Sequence, residues 1–211
     1  MKKIFVFILL SFLISFDVNA FTLSQSVNSD HRDEKNILRD QYRNPLETLN
    51  FFRVEPSMTI VELSPGRGWY TEILAKYMFE NGRYIAAPYN PNLGGYAERL
   101  WDNYSSLLQS NEIYSKIEIS YLFDKIAEDE SVDAVLTFRN VHNWINDGAK
   151  NAKIIFEQTY NVLRSGGFFG VVEHRAKINT SVEDMYKSGY VTEQFIIDLA
   201  KDTGFVLIDK S

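Results

Sequence analysis

The feature that most restricts this chain is a strand-length apolar run that breaks into a glycine turn and then into a helical stripe. Thr59-Ile60-Val61-Glu62-Leu63 is rich in β-formers and abuts Ser64-Pro65-Gly66-Arg67-Gly68. Tyr70, Ile73, Leu74 and Tyr77 then recur at helical spacing as far as Gly82. The unit repeats: residues 83–87 form a second expected strand, 88–95 a turn, and Tyr96, Leu100, Tyr104, Leu107 and Leu108 a helical stripe. Residues 117–122 and 134–138 are expected as the third and fourth strands. The helix after the fourth carries Ala152, Ile155, Thr159, Val162 and Leu163, and Gly166-Gly167 marks its end. Residues 168–172 make a fifth strand; Thr192 caps a helix with Phe195, Ile196 and Leu199, Gly204 ends it, and 205–208 make a sixth. Strands that alternate with helices are joined by crossovers, which make the sheet parallel and, being right-handed, put helices on both faces. The strands are apolar without alternation, as burial on both sides requires. An α/β fold of three layers is therefore expected.

Upstream, Asn44-Pro45-Leu46-Glu47 combines a cap residue, a proline at the first helical position and a glutamate three after the cap, so a short helix starts there. Residues 21–39 are polar without a period and read as a surface arm leading into a single domain over 40–211. Lys2 and Lys3 precede an apolar run over 4–16, and Val18-Asn19-Ala20 offers the small residues that a signal peptidase reads. Residues 1–20 are thus expected to be a signal peptide, and the mature chain to be exported, periplasmic or secreted. The run falls short of the roughly 20 residues that a membrane-spanning helix needs, so no stable anchor is expected after cleavage.

Several function classes drop out. The chain carries a net charge of −6 and has no clustered Lys/Arg stripe, so it lacks the footprint of a nucleic-acid binder. With no cysteine it forms no disulfide, uses no thiolate nucleophile and builds no Cys-ligated zinc site. A small-molecule substrate is the partner that remains; the oligomeric state is not written in the sequence.

In an open parallel sheet, ligands bind outside the carboxyl ends of the strands. The residues there are Ser64 to Gly68 after the first strand, Tyr89 and Asn90 after the second, and Arg139, Asn140, His142, Asn143 and Trp144 after the fourth. Glu173, His174 and Arg175 follow the fifth. Gly66 and Gly68 permit a tight turn and close ligand approach, and the helix behind them exposes unpaired N–H groups that suit an anion. A plain strand-to-helix turn would use glycines as well. Either histidine could be a proton acceptor or a packed, hydrogen-bonding residue, and Trp144 a pocket wall or a helix cover. Glu173, His174 and His142 have no short metal-ligand spacing, and no metal is assigned.

Glu62-Leu63-Ser64-Pro65-Gly66-Arg67-Gly68 resembles the first motif of the class I S-adenosylmethionine-dependent methyltransferases. The resemblance extends to Ser131-Val132-Asp133-Ala134-Val135 and Val162-Leu163-Arg164-Ser165-Gly166-Gly167, in the family's order. A closer likeness is to a group of predicted exported methyltransferases. It rests on Tyr42-Arg43-Asn44-Pro45, Trp69-Tyr70-Thr71-Glu72, residues 137–144 and Ser188-Gly189-Tyr190-Val191. The resemblance implies a Rossmann-like sheet and bound S-adenosylmethionine, its methionine end near Glu62, Ser64, Pro65, Gly66 and Gly68. Methyl transfer is an in-line displacement, so such an enzyme positions the acceptor and removes its proton. His142 is the first candidate base and His174 the second. Tyr89 and Asn90, Asp124 and Asn140 join the cofactor set; Arg139, Asn143, Trp144 and Glu173 join the substrate set.

The chain also departs from the family. Where many members place a ribose-binding acid after the second strand, it reads Ala86-Ala87-Pro88-Tyr89-Asn90. The family's last strand, inserted antiparallel beside the fifth, is expected to be lacking. A binding protein that keeps the fold without catalysis is the alternative function, and a partner-binding domain a third.

Overall fold

The structure, a computed structural model, describes residues 20–211. The expected signal peptide lies outside the described residues except for Ala20. Four short helices come first: α1 (Leu23–Val27), α2 (Glu34–Ile37), α3 (Asp40–Arg43) and α4 (Pro45–Phe51). Then follow β1 (Thr59–Leu63), α5 (Thr71–Met78), β2 (Arg83–Ala87), α6 (Gly95–Ser110), β3 (Glu118–Ile119) and β4 (Val132–Phe138). The chain continues through α7 (Val141–Trp144), α8 (Lys150–Val162), β5 (Leu163–Val172), α9 (Val182–Ser188) and α10 (Glu193–Thr203).

The five strands lie in the order β3-β2-β1-β4-β5 and every pairing is parallel. This is the doubly wound α/β arrangement that the strand–helix alternation predicts. Successive residues of a strand face opposite sides, and the core divides accordingly. Val61 and Leu63 of β1, with Ile85, Ala87 and Val135, pack under α7 and α8. Ile60 of β1, with Tyr84, Ala86, Ala134 and Leu136, packs under α4, α5 and α6. Asp133 fixes the entry to this sheet: one carboxylate oxygen accepts from the Thr59 N–H at 2.6 Å, and the other pairs with Arg164.

Several expectations fail. The helix after β4 stops at Val162, and Leu163 and Gly166-Gly167, expected as its last turn and its end, are part of β5, which starts five residues before the expected 168. β3 pairs over two residues where 117–122 are expected. Residues 205–208 form no strand: they leave α10 through Gly204 in the left-handed region, and Val206 and Ile208 are exposed. A β-rich tetrapeptide is a strand only when a ladder accepts it. Here Phe205 instead sets its ring against Tyr160 and Phe169. Residues 21–39 are not a surface arm either. Thr22 and Gln25 close a capping box on α1, and Leu23 and Val27 join the core beside α5. These helices are too short to show a period, so the sequence pattern is silent about them.

Arg32 anchors this segment. Its guanidinium is fully buried, donates to Asp40 through two bonds at 2.7 and 2.9 Å, lies 3.5 Å from Glu72, and sits over the Trp69 ring at 5.3 Å. Removing one partner of a buried ion pair leaves an uncompensated charge. Arg32→Met is therefore expected to lower unfolding free energy by about 3 kcal/mol, read from denaturant midpoints; an unchanged midpoint would show that Asp40 and Glu72 are satisfied without it.

Candidate functional site

All five strands point their carboxyl ends at one edge, and there the backbone becomes unusual. Ser64 after β1, Phe123 beyond β3 and Arg139 after β4 have φ of 51°, 75° and 64°, a region that non-glycine residues seldom occupy. Such conformations cluster where the chain must turn sharply from a strand toward a site. Gly66 and Gly68 follow with φ of 63° and 85°, so residues 64–68 of the β1–α5 loop are left-handed at three of five positions.

The two glycines serve different ends. A Cβ on Gly66 would meet nothing within 4 Å, so this part of the turn faces open space. A Cβ on Gly68 would collide with Leu107 Cδ2, so Gly68 lets α6 close on the turn. The Gly68 N–H is taken by the Pro65 carbonyl at 3.0 Å and the Ser64 N–H by the Ala87 carbonyl at 2.9 Å. Among the described residues the N–H groups of Gly66 and Arg67 have no acceptor. Pro65 and Ser64 are buried beneath them, and the Ser64 hydroxyl has no partner although it is sealed from solvent.

Glu62 does not face this opening. It belongs to the same face of β1 as Ile60 and is 2% exposed, with Tyr84 and Thr71 donating to one carboxylate oxygen. Burial pushes its carboxyl up to about 7, against the opposing pull of those hydroxyls and of Arg43. Asn140 is the tie across the mouth: its amide lies within 3.3 Å of the carbonyls of Leu63, Ser64 and Phe138 and of the Thr137 hydroxyl. Loop positions after β1 and β4 are thereby fixed to each other.

On the β2 side, Asn90 caps the turn at Asn92 and lies 3.4 Å from Asp124, so these two candidates meet. The half-buried Tyr89 has Trp144 and Ser64 as neighbours, and burial raises its hydroxyl to about 12. Trp144 is 1% exposed and packs in the core as a cover on α7, with an indole N–H that lacks a partner. Asn143 continues that helix with its N–H on the Asn140 carbonyl.

On the β5 side, Glu173 is not available to a substrate. Its 3% exposed carboxylate takes His142 Nδ1 at 3.0 Å through one oxygen and the His174 N–H at 2.9 Å through the other. A carboxylate oxygen accepts, so Nδ1 carries the proton of this bond, which in a neutral ring leaves the lone pair on Nε2. His174 lies against Tyr190, with ring centroids 5.1 Å apart. Burial and then Arg139 lower its basicity, which keeps it neutral near physiological pH. No group of three or more potential metal ligands occurs among the described residues.

Arg43 belongs to this site, although the sequence pointed to it only within Tyr42-Arg43-Asn44-Pro45. The reversal at Asn44, φ 44°, ends α3 and begins α4 with no side-chain cap, and it brings Arg43 over the Trp69 ring at 4.6 Å. Burial first, then Arg39 and Arg139, hold its guanidinium down to about 10.

The raised Glu62 carboxyl makes stability depend on pH. The folded state holds the proton more tightly than the unfolded chain, so this contribution is present below pH 4.5 and is lost as pH rises through about 7. Between pH 5 and 8, Glu62→Gln is expected to gain on the parent protein by up to about 3 kcal/mol. Parallel chemical unfolding at both pH values measures this, and a difference that does not change with pH refutes it.

No protein-family model matches the sequence, and no curated protein matches it either. Solved structures do. A SAM-dependent methyltransferase from Aquifex aeolicus is 16% identical, with a TM-score of 0.62 over 87% of this chain and 88% of that one. The PH0226 protein from Pyrococcus horikoshii OT3 is 14% identical, with a TM-score of 0.56 over 86% and 89%. Geranyl diphosphate C-methyltransferase from Streptomyces coelicolor A3(2), solved with Mg2+, geranyl diphosphate and S-adenosyl-L-homocysteine, is 12% identical, with a TM-score of 0.55 over 84% and 67%. The chain has the Rossmann-like α/β fold of class I methyltransferase structures.

Proposed function

We propose that this protein is an S-adenosylmethionine-dependent methyltransferase acting on a small molecule. The observation that carries the reading is the left-handed turn from Ser64 to Gly68, open above Gly66, at the mouth of a parallel sheet similar to those of methyltransferases. The residues present fit the cofactor. Free N–H groups at Gly66 and Arg67 and the unpartnered Ser64 hydroxyl suit the methionine end. Asn90 and Asp124, already together, offer the donors and acceptors that a ribose diol and an adenine amine require. Tyr89, half-buried with Ser64 and Trp144 as neighbours of its hydroxyl, is the aromatic side chain next to Asn90.

When bound, the cofactor's sulfonium supplies an activated methyl group. What the chain contributes is placement and proton removal. Glu173 holds the His142 ring by its Nδ1–H, and Nε2 takes the acceptor's proton. Asn140 keeps the His142 loop in fixed relation to the cofactor turn. His174, kept neutral, is a second acceptor of hydrogen bonds at the same edge.

Calorimetric titration of the purified protein with S-adenosylmethionine and S-adenosylhomocysteine tests this. Micromolar binding is expected, abolished in Gly66→Trp, whose side chain would occupy the open space. His142→Gln should bind as before and lose about 10²- to 10⁴-fold in turnover. Absence of binding by the parent protein would sink the enzyme reading and favour a binding protein with another ligand.

We further propose export, which rests on Lys2, Lys3, the apolar run over 4–16 and Val18-Asn19-Ala20. Sequencing of the protein recovered outside the cytoplasm should begin at Phe21. Recovery only inside, starting at Met1, would contradict it.

A further inference from the structure

Three carboxylates near Arg43 and Arg139 are already engaged. Asp40 is taken by Arg32 through two bonds, Glu62 by Tyr84 and Thr71, and Glu173 by His142 and the His174 N–H. Two half-buried guanidiniums are left over, with the exposed Arg39 a third beside Arg43. Among the described residues, neither Arg43 nor Arg139 has a carboxylate within 4.0 Å, and neither side chain makes a hydrogen bond. The Nε of each is nevertheless sealed from solvent and has no partner. They lie within Coulombic reach of each other, and both reach His174. Trp69 holds Arg43 in place by its ring face, and the left-handed turn after β4 fixes Arg139.

Two half-buried like charges without a carboxylate partner gain from an anion that joins them. A guanidinium offers a rigid fork of donors matched to carboxylate or phosphate oxygens. The position also selects the occupant. Arg139 follows β4 three residues before His142 and its charge reaches His174 after β5, whereas the open turn, Asn90 and Asp124 occupy the β1–β2–β3 half. The overall charge of −6 makes this spot a local exception, not part of a basic surface.

We propose that Arg43 and Arg139 form an anion subsite in the acceptor half of the mouth, so that the acceptor is a small molecule bearing a carboxylate or phosphate beside the group it presents to His142. The word acceptor rests on the methyltransferase reading; the anion subsite rests on the arginine pair alone.

The test uses malonate and inorganic phosphate as probes at low ionic strength, followed by calorimetry and by the shift in thermal midpoint. The parent protein should bind at least one of them. Arg43→Gln and Arg139→Gln should each weaken it about tenfold or more, with folding checked by circular dichroism. Should a glutamine variant fail to fold, Arg43→Lys and Arg139→Lys keep the charge and lose the fork, and several-fold weakening is expected of them. S-adenosylmethionine and 5′-methylthioadenosine, which lacks the amino-carboxylate chain, separate the two sources of a carboxylate. Unchanged affinity for both in the arginine variants supports the acceptor subsite. Weakening for S-adenosylmethionine alone means that the pair holds the cofactor's carboxylate and overturns the proposal. No response of the parent protein to either anion overturns it too. Anion binding without any S-adenosylmethionine binding leaves the subsite standing and removes the methyltransferase reading.

Discussion

A parallel ladder can continue from strand to strand only if every strand ends at the same edge, and most of this structure follows from that constraint. β1 is hydrogen-bonded on both sides, to β2 and to β4, and four of its five residues are buried. Loops with polar ends therefore collect at one rim, which is why residues 64–68, 89–90, 139–144 and 173–175 meet despite their separation in sequence. Sharp exits from the strands are needed there, and the left-handed residues Ser64, Gly66 and Arg139 supply them. Asn140 then bonds the rim to itself, so a small change after β4 would be felt at the turn after β1.

The charges inside the protein sort into those that are engaged and those that are not. Arg32, Asp40 and Glu72 close a buried network that docks the N-terminal helices. Glu62 is hydrogen-bonded but strained by desolvation, and Glu173 spends both oxygens on the two histidine positions. Buried ion pairs contribute little net stability when replaced as a unit, yet losing one member costs several kcal/mol. Such networks fix geometry more than they add stability. Here the geometry fixed is that of His142 and of the segment bearing Arg43.

Much of the scaffold was legible because its signals are local. The strands at 59–63 and 83–87 have the expected bounds, since each is a β-rich run closed by a turn. Thr192 caps α10 through the Phe195 N–H and Gly204 ends it, as the residue types imply. The segment at 205–208 had equal β-propensity but no ladder to join, and propensity cannot show whether a neighbour exists. Residues 21–39 misled for the opposite reason: helices of four or five residues carry no period, and the buried Arg32 reads as surface on composition.

The sequence by itself determined the parallel α/β sheet, the edge at which a site must lie, and the glycine turn after β1. Periodicity, turn chemistry and crossover handedness are properties of short stretches, so they survive without coordinates. Only the tertiary structure decided which polar side chains are engaged with one another. It turned Glu62 inward, gave Glu173 to His142, paired Asn90 with Asp124 and left Arg43 beside Arg139 without an acceptor. Those outcomes depend on distances between residues up to about a hundred positions apart, and nothing in the order of the amino acids fixes such distances until the sheet has formed.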